Sequence, residues 1–300
     1  MEWEVSLIEW IQSNMGGFSE ALGKVFSFLG GEKGLMVLFV IVLFCWKKEA
    51  GKRLALIIAA VNAWPAIIKS VVMRPRPYMA YPGRVKALEL VETAAAADDI
   101  AAQGYSFPSM HAASVAGSYF HVAKEAKRKW LWILAVAMTV FVGFFRVAVG
   151  MHYPTDVLAG WALGFVILGV FALLEKYVEK EWVRHLILLI ITLPGLFFAS
   201  THDYYTSLGI LLGAIAAIPF EQKYVNFRDT RNVLAMILRT LGAFAIYFGL
   251  NTLLKLPFSK DFLEEASMGA FLVRTARYAI IVFVIMGVYP KVFPLFERKK

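Results

Sequence analysis

The sequence predicts an all-α, polytopic integral membrane protein, and three observations carry that prediction. Hydrophobic residues make up 59% of the 300-residue chain and charged residues only 18%, whereas a soluble domain is usually about 45–50% apolar and about 25% charged. The excess comes as repeated blocks of roughly 16–23 apolar residues, about the length that crosses a bilayer. Lysine and arginine gather in alternate connections between those blocks.

Taken in order, residues 1–30 set Trp3, Leu7, Ile8, Trp10, Ile11 and Phe18 among charges and glycines, the pattern of an amphipathic segment at the membrane interface. They begin with Glu2, Glu4 and Glu9 and lack a basic stretch ahead of an apolar core, so they do not read as a cleavable signal peptide. Apolar spans follow at about 34–46, 54–73, 108–123, 130–149, 155–174, 185–200, 205–220, 232–254 and 271–289, nine in all. The first is short, and its start ahead of Gly34 is open.

Connection charge orients the spans. On one side, from Lys47 and Lys48 to Arg298, Lys299 and Lys300 in the C-terminal tail, 18 Lys and Arg face 9 on the other, once Lys69, Arg76 and Arg146 are set apart. Basic connections stay in the cytoplasm, which places the N-terminus outside and the C-terminus inside. The net charge of +9 is therefore a topological signal and not the footprint of a nucleic-acid partner. Cys45, the one cysteine, sits in an apolar run, so no intrachain disulfide forms. The connection 74–107 holds Tyr78, Tyr81, Pro82, Asp98, Asp99 and an alanine run. It is longer than an ordinary helix connection and reads either as a substrate-facing lid or as an unstructured external loop.

Three stretches place charge where a bilayer tolerates it least: Lys69 to Pro77 (KSVVMRPRP), Pro108 to His111 (PSMH) and Arg146 to Asp156 (RVAVGMHYPTD). Ionisable residues at such depth mark a functional site by default, and the predicted topology puts all three on the non-cytoplasmic face. A neutral imidazole attacks phosphorus well near pH 7. His152 would present one ring nitrogen to a phosphoryl group, with Asp156, four residues on, holding the proton on the other. Pro154 suits the first turn of the helix that follows. Pro108 and Ser109 read as a helix start with Ser109 as N-cap, and a helix N-terminus offers N–H groups to an anion. His111 in that first turn suits a general acid on the leaving group, then a general base toward water. Lys69, Arg76 and Arg146 supply positive charge to the phosphoryl oxygens without a metal.

Each stretch alone also has a plainer reading: a His–Asp pair capping a helix, a capped helix with an interfacial histidine, or cations snorkelling to the interface. Snorkelling suits Arg74 and Arg84. It suits Lys69 poorly, since Ile67, Ile68, Val71 and Val72 surround it.

In combination, KxxxxxxRP, PSxH and RxxxxxHxxxD resemble the three-part signature of the type-2 phosphatidic acid phosphatase superfamily, over roughly residues 50–175. That superfamily includes lipid phosphate phosphatases, undecaprenyl-diphosphate phosphatases, glucose-6-phosphatases and vanadium haloperoxidases. The resemblance implies a helical-bundle core, a phosphohistidine on His152 and His111 as acid and base. It also implies phosphate contacts from Lys69, Arg76, Ser109, Arg146 and the backbone of Met110, with no metal and no cofactor. Two positions depart from the pattern: Met110 stands where Gly is frequent, and Phe145 where Ser is. On this basis 31–178 forms the phosphatase core and 179–300 an added four-helix region of unknown role. The expected substrate is a membrane lipid phosphate or diphosphate, of the phosphatidic acid or undecaprenyl diphosphate type, in a bacterial cell membrane. A soluble phosphate ester, a phosphotransfer reaction and a non-catalytic membrane protein are the alternatives. Arg239 and Asn251, the scarce polar residues of the last spans, read as helix-packing contacts.

Overall fold

A computed structural model describes residues 2–90 and 96–296. Arg298, Lys299, Lys300 and the Ala94–Ala95 part of the alanine run lie outside the described residues. Among the described residues all regular structure is helical. α1 (Glu2–Gly30) and α2 (Glu32–Ile41) are followed by a wider π-helical segment, Val42–Trp46, and by α3 (Lys48–Val72). Two short turns, α4 (Pro77–Ala80) and α5 (Ile100–Gln103), lie in the long connection. Then come α6 (Met110–Ala126), α7 (Lys129–Ala148), α8 (Pro154–Tyr177), α9 (Glu181–Thr192), α10 (Gly195–Phe198) and α11 (His202–Tyr224). The chain closes with α12 (Val233–Leu253), α13 (Lys260–Glu264), α14 (Met268–Phe283) and α15 (Phe293–Phe296).

Among the described residues, seven helical stretches are long and apolar enough to cross a membrane. There are eight if the pair Gly17–Gly30 and Glu32–Trp46, bent by 50°, is one broken span. The protein is a multi-pass integral membrane protein. It divides into two compact units: Met1–Leu35, Trp64–Leu173 and Phe197–Ala199 form the first, and Met36–Ala63, Leu174–Leu196 and Ser200–Lys300 the second.

In the first unit α8 carries Gly160 and Gly164, one turn apart, against α6. A Cβ on either would strike the carbonyl of Ser109 or Ala113, and α6 answers with Ala112, Ala116 and Gly117. Small residues four apart let membrane helices approach this closely. Gly143 of α7 does the same against Val157 and Trp161 of α8. α1, the segment expected at the interface, is one helix whose Val5, Ile8 and Ile11 enter a core shared with Ala112, Phe145 and Val157. Its Trp3, Trp10 and Phe18 remain exposed. Phe26 of α1 stacks on Phe145 with ring centres 4.9 Å apart, a pairing that adds about 0.5–1.5 kcal/mol to simple burial.

The second unit packs α11 on α14 by the same means, Gly209 and Gly213 meeting the carbonyls of Thr275 and Ala279. Its buried polar groups end in local contacts. Arg239 stacks on Phe293 at 4.3 Å and donates to the Arg228 carbonyl. Arg277 donates to Asn251 Oδ1 at 2.7 Å. Glu221 accepts from Lys48 and forms an ion pair with Lys52.

Candidate active site

Helix ends of the first unit carry the three charged stretches. Lys69 lies in the last turn of α3, Arg146 in the last turn of α7, and Asp156 in the first turn of α8. Ser109 caps α6: its backbone is extended and its Oγ accepts from Ala112 N at 3.4 Å, satisfying one of the orphan donors of a helix start. The Ser109 N–H donates to the Asp156 carbonyl at 2.9 Å, which pins the start of α6 to the start of α8. Between α7 and α8 the chain reverses through Gly150, at φ +80°, a conformation that glycine adopts without steric cost. The N–H groups of Met151 and His152 then donate back to the Arg146 carbonyl, each at 3.2 Å. α8 opens at Pro154.

His152 is 1% exposed and Asp156 is fully buried. His152 Nδ1 faces Asp156 Oδ2 at 3.7 Å, just beyond hydrogen-bond length, and has no hydrogen-bond partner among the described residues. Burial, and then the positive fields of Arg76, Arg146 and Lys69, hold the His152 pKa well below the ordinary 6.5. The ring is therefore neutral at pH 7, with a lone pair to donate. Asp156 Oδ2 also accepts from Tyr153 N at 2.8 Å, and Oδ1 accepts from Arg74 Nη1 at 2.6 Å.

His111 is half-buried in the first turn of α6, beside the break between α1 and α2. A Cβ at Gly31 would lie 3.2 Å from His111 Nε2, so the glycines at this break make room for the ring. Lys69, Arg76, Arg146 and His152 all act electrostatically on His111, and the same three cations act on His152. The structure thus brings Lys69, Arg76, His111, Arg146 and His152 into one field, with Asp156 beside His152 and Ser109 bonded to the Asp156 backbone. Met110 is the first residue of α6 and is half-buried. Phe145 lies in the core against Phe26.

The two arginines are engaged differently. Arg76 is 3% exposed, and its guanidinium donates to the carbonyls of Gln103, Gly104 and Met151. It ties the long connection to the residue before His152. Arg146 Nη1 donates to Ser27 Oγ at 2.6 Å and to Glu89 Oε2 at 2.9 Å. Its buried Nε, like the buried hydroxyl of Tyr78, has no hydrogen-bond partner among the described residues. Tyr78 lies within electrostatic reach of both arginines.

Sequence reasoning missed Glu4 and Ser27 on α1 and Glu89 in the connection, and it misread Arg74. Arg74 does not snorkel: its side chain is 18% exposed and is held between the carboxylates of Asp156 and Glu4. Arg84 is bound as well, to Glu2 at 2.8 Å and Glu9 at 2.7 Å. No local pattern marks these pairs, whose partners lie 57 to 151 residues apart. The described part of 74–107 is laced to its surroundings, with Leu88 N on the Val149 carbonyl at 3.1 Å and Gln12 bonded to the Lys86 backbone. Among the described residues, no group of three or more His, Cys, Asp or Glu is arranged to hold a metal ion.

Residues 50–180 match the family model of the PAP2 superfamily, and residues 205–299 match that of the transmembrane extension of PAP2 superfamily phosphatases. The chain is 45% identical over 60 residues to undecaprenyl-diphosphatase of Sulfolobus acidocaldarius, covering 20% of this chain and 29% of that protein. It is 34% identical over 85 residues to phosphatidylglycerophosphatase B of Bacillus subtilis, covering 25% and 40%. Against lipid phosphate phosphatase delta of Arabidopsis thaliana it is 25% identical over 198 residues, covering 59% and 45%. The matched segment spans less than half the length of each of these relatives. No solved structure matches the chain significantly. All three charged stretches fall inside the first matched segment and a second family model lies on the C-terminal helices, and the chain belongs to the PAP2 superfamily.

Proposed function

We propose that the protein is a membrane phosphatase that hydrolyses a lipid phosphate or diphosphate monoester through a phosphohistidine on His152, at the non-cytoplasmic face. One observation carries the reading: a buried, neutral His152 within the field of Lys69, Arg76 and Arg146, with the Asp156 carboxylate behind its Nδ1.

Since Nδ1 faces Asp156, Nε2 is the nucleophile. Its lone pair forms a bond to phosphorus, and the bond from phosphorus to the leaving oxygen breaks. The departing oxygen keeps that electron pair and takes a proton from His111, which must enter this step protonated. Asp156 balances the positive charge that develops on the His152 ring. His111, now neutral, takes a proton from water as the water oxygen bonds to phosphorus. The phosphorus–nitrogen bond breaks, its electrons return to Nε2, and inorganic phosphate leaves. Lys69, Arg76 and Arg146 stabilise the charge on the equatorial oxygens, the largest demand in phosphoryl transfer. Ser109 and the Met110 N–H, at the start of α6, complete the oxygen cradle.

A lipid substrate is favoured by the place of the site at helix ends, where a headgroup meets water while its tail stays in the bilayer. The matched relatives also include an undecaprenyl-diphosphatase, a phosphatidylglycerophosphatase and a lipid phosphate phosphatase. Nine spans result when the 17-residue α6 and the bent pair each count beside the other seven. With the connection charges, that sets the N-terminus outside, the C-terminus in the cytoplasm and the site outside. Residues 31–178 then act as the catalytic core and 179–300 as an accessory helical region.

Phosphate release from detergent-dispersed phosphatidic acid, phosphatidylglycerophosphate, undecaprenyl phosphate and diphosphate, and glucose 6-phosphate tests the reading. We expect a lipid to be turned over fastest and EDTA to leave the rate intact. Preference for glucose 6-phosphate, or loss of activity in EDTA, would overturn it.

A further inference from the structure

Arg74 bridges two buried carboxylates that come from opposite ends of the first unit's sequence. Its Nη1 donates to Asp156 Oδ1 at 2.6 Å and to Thr155 Oγ1 at 2.8 Å, and its Nη2 donates to Glu4 Oε2 at 3.0 Å. The guanidinium carbon lies 3.8 Å from the centre of the Tyr153 ring. Glu4 is 3% exposed, and its other oxygen accepts from Thr155 Oγ1 at 2.6 Å and from Thr155 N at 3.2 Å. Glu4 and Arg74 therefore grip the first turn of α8 from both sides of the residue that precedes Asp156.

We propose that Arg74 is a positioning residue for the phosphatase reaction: by holding Asp156 Oδ1 it turns Oδ2 toward His152 Nδ1, and Glu4 of α1 anchors it there. The proposal rests on the reading of His152 as nucleophile and Asp156 as its orienter. Its physical basis is the fork of the guanidinium. One nitrogen fixes Asp156 and a second fixes Glu4, so the planar group cannot rotate without breaking both contacts. The stack on Tyr153, next in sequence to His152, fixes the plane itself. Arg74 also lies between two buried carboxylates that its positive charge keeps apart. Without it, the carboxylate is held only by the Tyr153 N–H on Oδ2, and the imidazolium that forms on His152 loses the second hold on its orienter.

The test is a set of variants in the full chain, assayed on whichever lipid phosphate or diphosphate the wild type hydrolyses fastest. Arg74→Met should lower kcat about 100-fold with KM within about 3-fold, a loss at the upper end for groups that orient a catalytic ligand. Arg74→Lys should recover part of it, since a point charge can hold Oδ1 but cannot fork. In an Asp156→Asn background, Arg74→Met should cost less than about 3-fold more, because residues acting as one unit are not additive. Arg74→Met combined with Glu4→Gln, which relieves the unpaired carboxylate, should remain slow. An equal loss in both backgrounds, or full recovery with Glu4→Gln, would make Arg74 a structural charge-balancer and overturn the proposal. Should Arg74→Met fail to accumulate, the same cycle run with Arg74→Lys decides, with additivity again the contradicting result. A His152→Ala protein that stays active would instead sink the reading beneath it.

Discussion

Gly160 and Gly164 in the first unit and Gly209 and Gly213 in the second do the same work. Each pair, four residues apart, lets one helix meet the backbone of another. The two units differ in their buried charge. In the second, Arg239 ends on Phe293 and the Arg228 carbonyl, Arg277 on Asn251, and Lys48 and Lys52 on Glu221. In the first, Lys69, Arg76 and Arg146 act on two histidines at once. Burial of a cation is common to both units. Lys48 and Lys52 share a carboxylate that neutralises them; convergence of three cations on a histidine belongs to the first unit alone among these contacts, and that kind of convergence is what marks chemistry.

The sharpest way to break this contrast is His152→Ala, for which we expect kcat for phosphate release to fall by at least about 1,000-fold, as for loss of a nucleophile. Next comes a matched pair. Arg146→Met should lower kcat/KM about 100-fold, the scale of one lost transition-state donor. Arg239→Met should stay within about 3-fold while lowering the thermal midpoint, as expected for a buried packing group. Similar kinetic losses in the two would erase the distinction between the units.

The pH profile sharpens the contrast further. The pKa of His152 lies well below 6.5 in the folded protein, so its ring stays neutral as pH falls past that value. The acidic limb of kcat/KM should therefore lie below pH 6.5; a limb above it would mean that His152 is not held neutral. The sign for stability agrees. Below 6.5 the unfolded chain takes up a proton that folded His152 refuses. The contribution of His152 is thus full above 6.5 and is lost as pH falls toward the folded value. The smallest expected effect concerns Glu89, which accepts from Arg146 at 2.9 Å where a phosphoryl oxygen would bind. Glu89→Gln should tighten competitive inhibition by inorganic phosphate about 3- to 10-fold, since a charged competitor for the guanidinium is removed. Unchanged or weaker inhibition would show that Glu89 and phosphate do not compete.

Much of the candidate site's local structure was legible because caps and prolines mark helix ends in the sequence. Ser109 read as an N-cap and is one, and Pro154 read as a helix start and opens α8. Lys69 stood out because apolar neighbours surround it, and it is buried. Glu4, Ser27 and Glu89 were illegible for a physical reason. Each is an ordinary polar residue in its own segment, and its meaning comes only from an arginine or threonine brought to it by folding. On α1 the acids looked like the polar face of an interfacial helix, yet Glu4 is buried against Arg74 and Thr155. Arg74 was misread because a cation next to an apolar run looks the same in sequence whether it reaches for water or for a carboxylate. The membrane character was plain from composition. The number of crossings was harder to read, since α6 is only 17 residues long and α1 and α2 meet at a 50° bend.

The central claim is that His152 carries the phosphoryl group. The direct measurement is rapid acid-free quenching of the protein with a substrate labelled at its terminal phosphate, followed by mapping of alkali-stable label. We predict a phosphohistidine at position 152 that is absent in His152→Ala and that forms more slowly in His111→Ala, which lacks the proton donor for the leaving group. Label that persists in His152→Ala, or wild-type label that maps to another residue, would contradict the account.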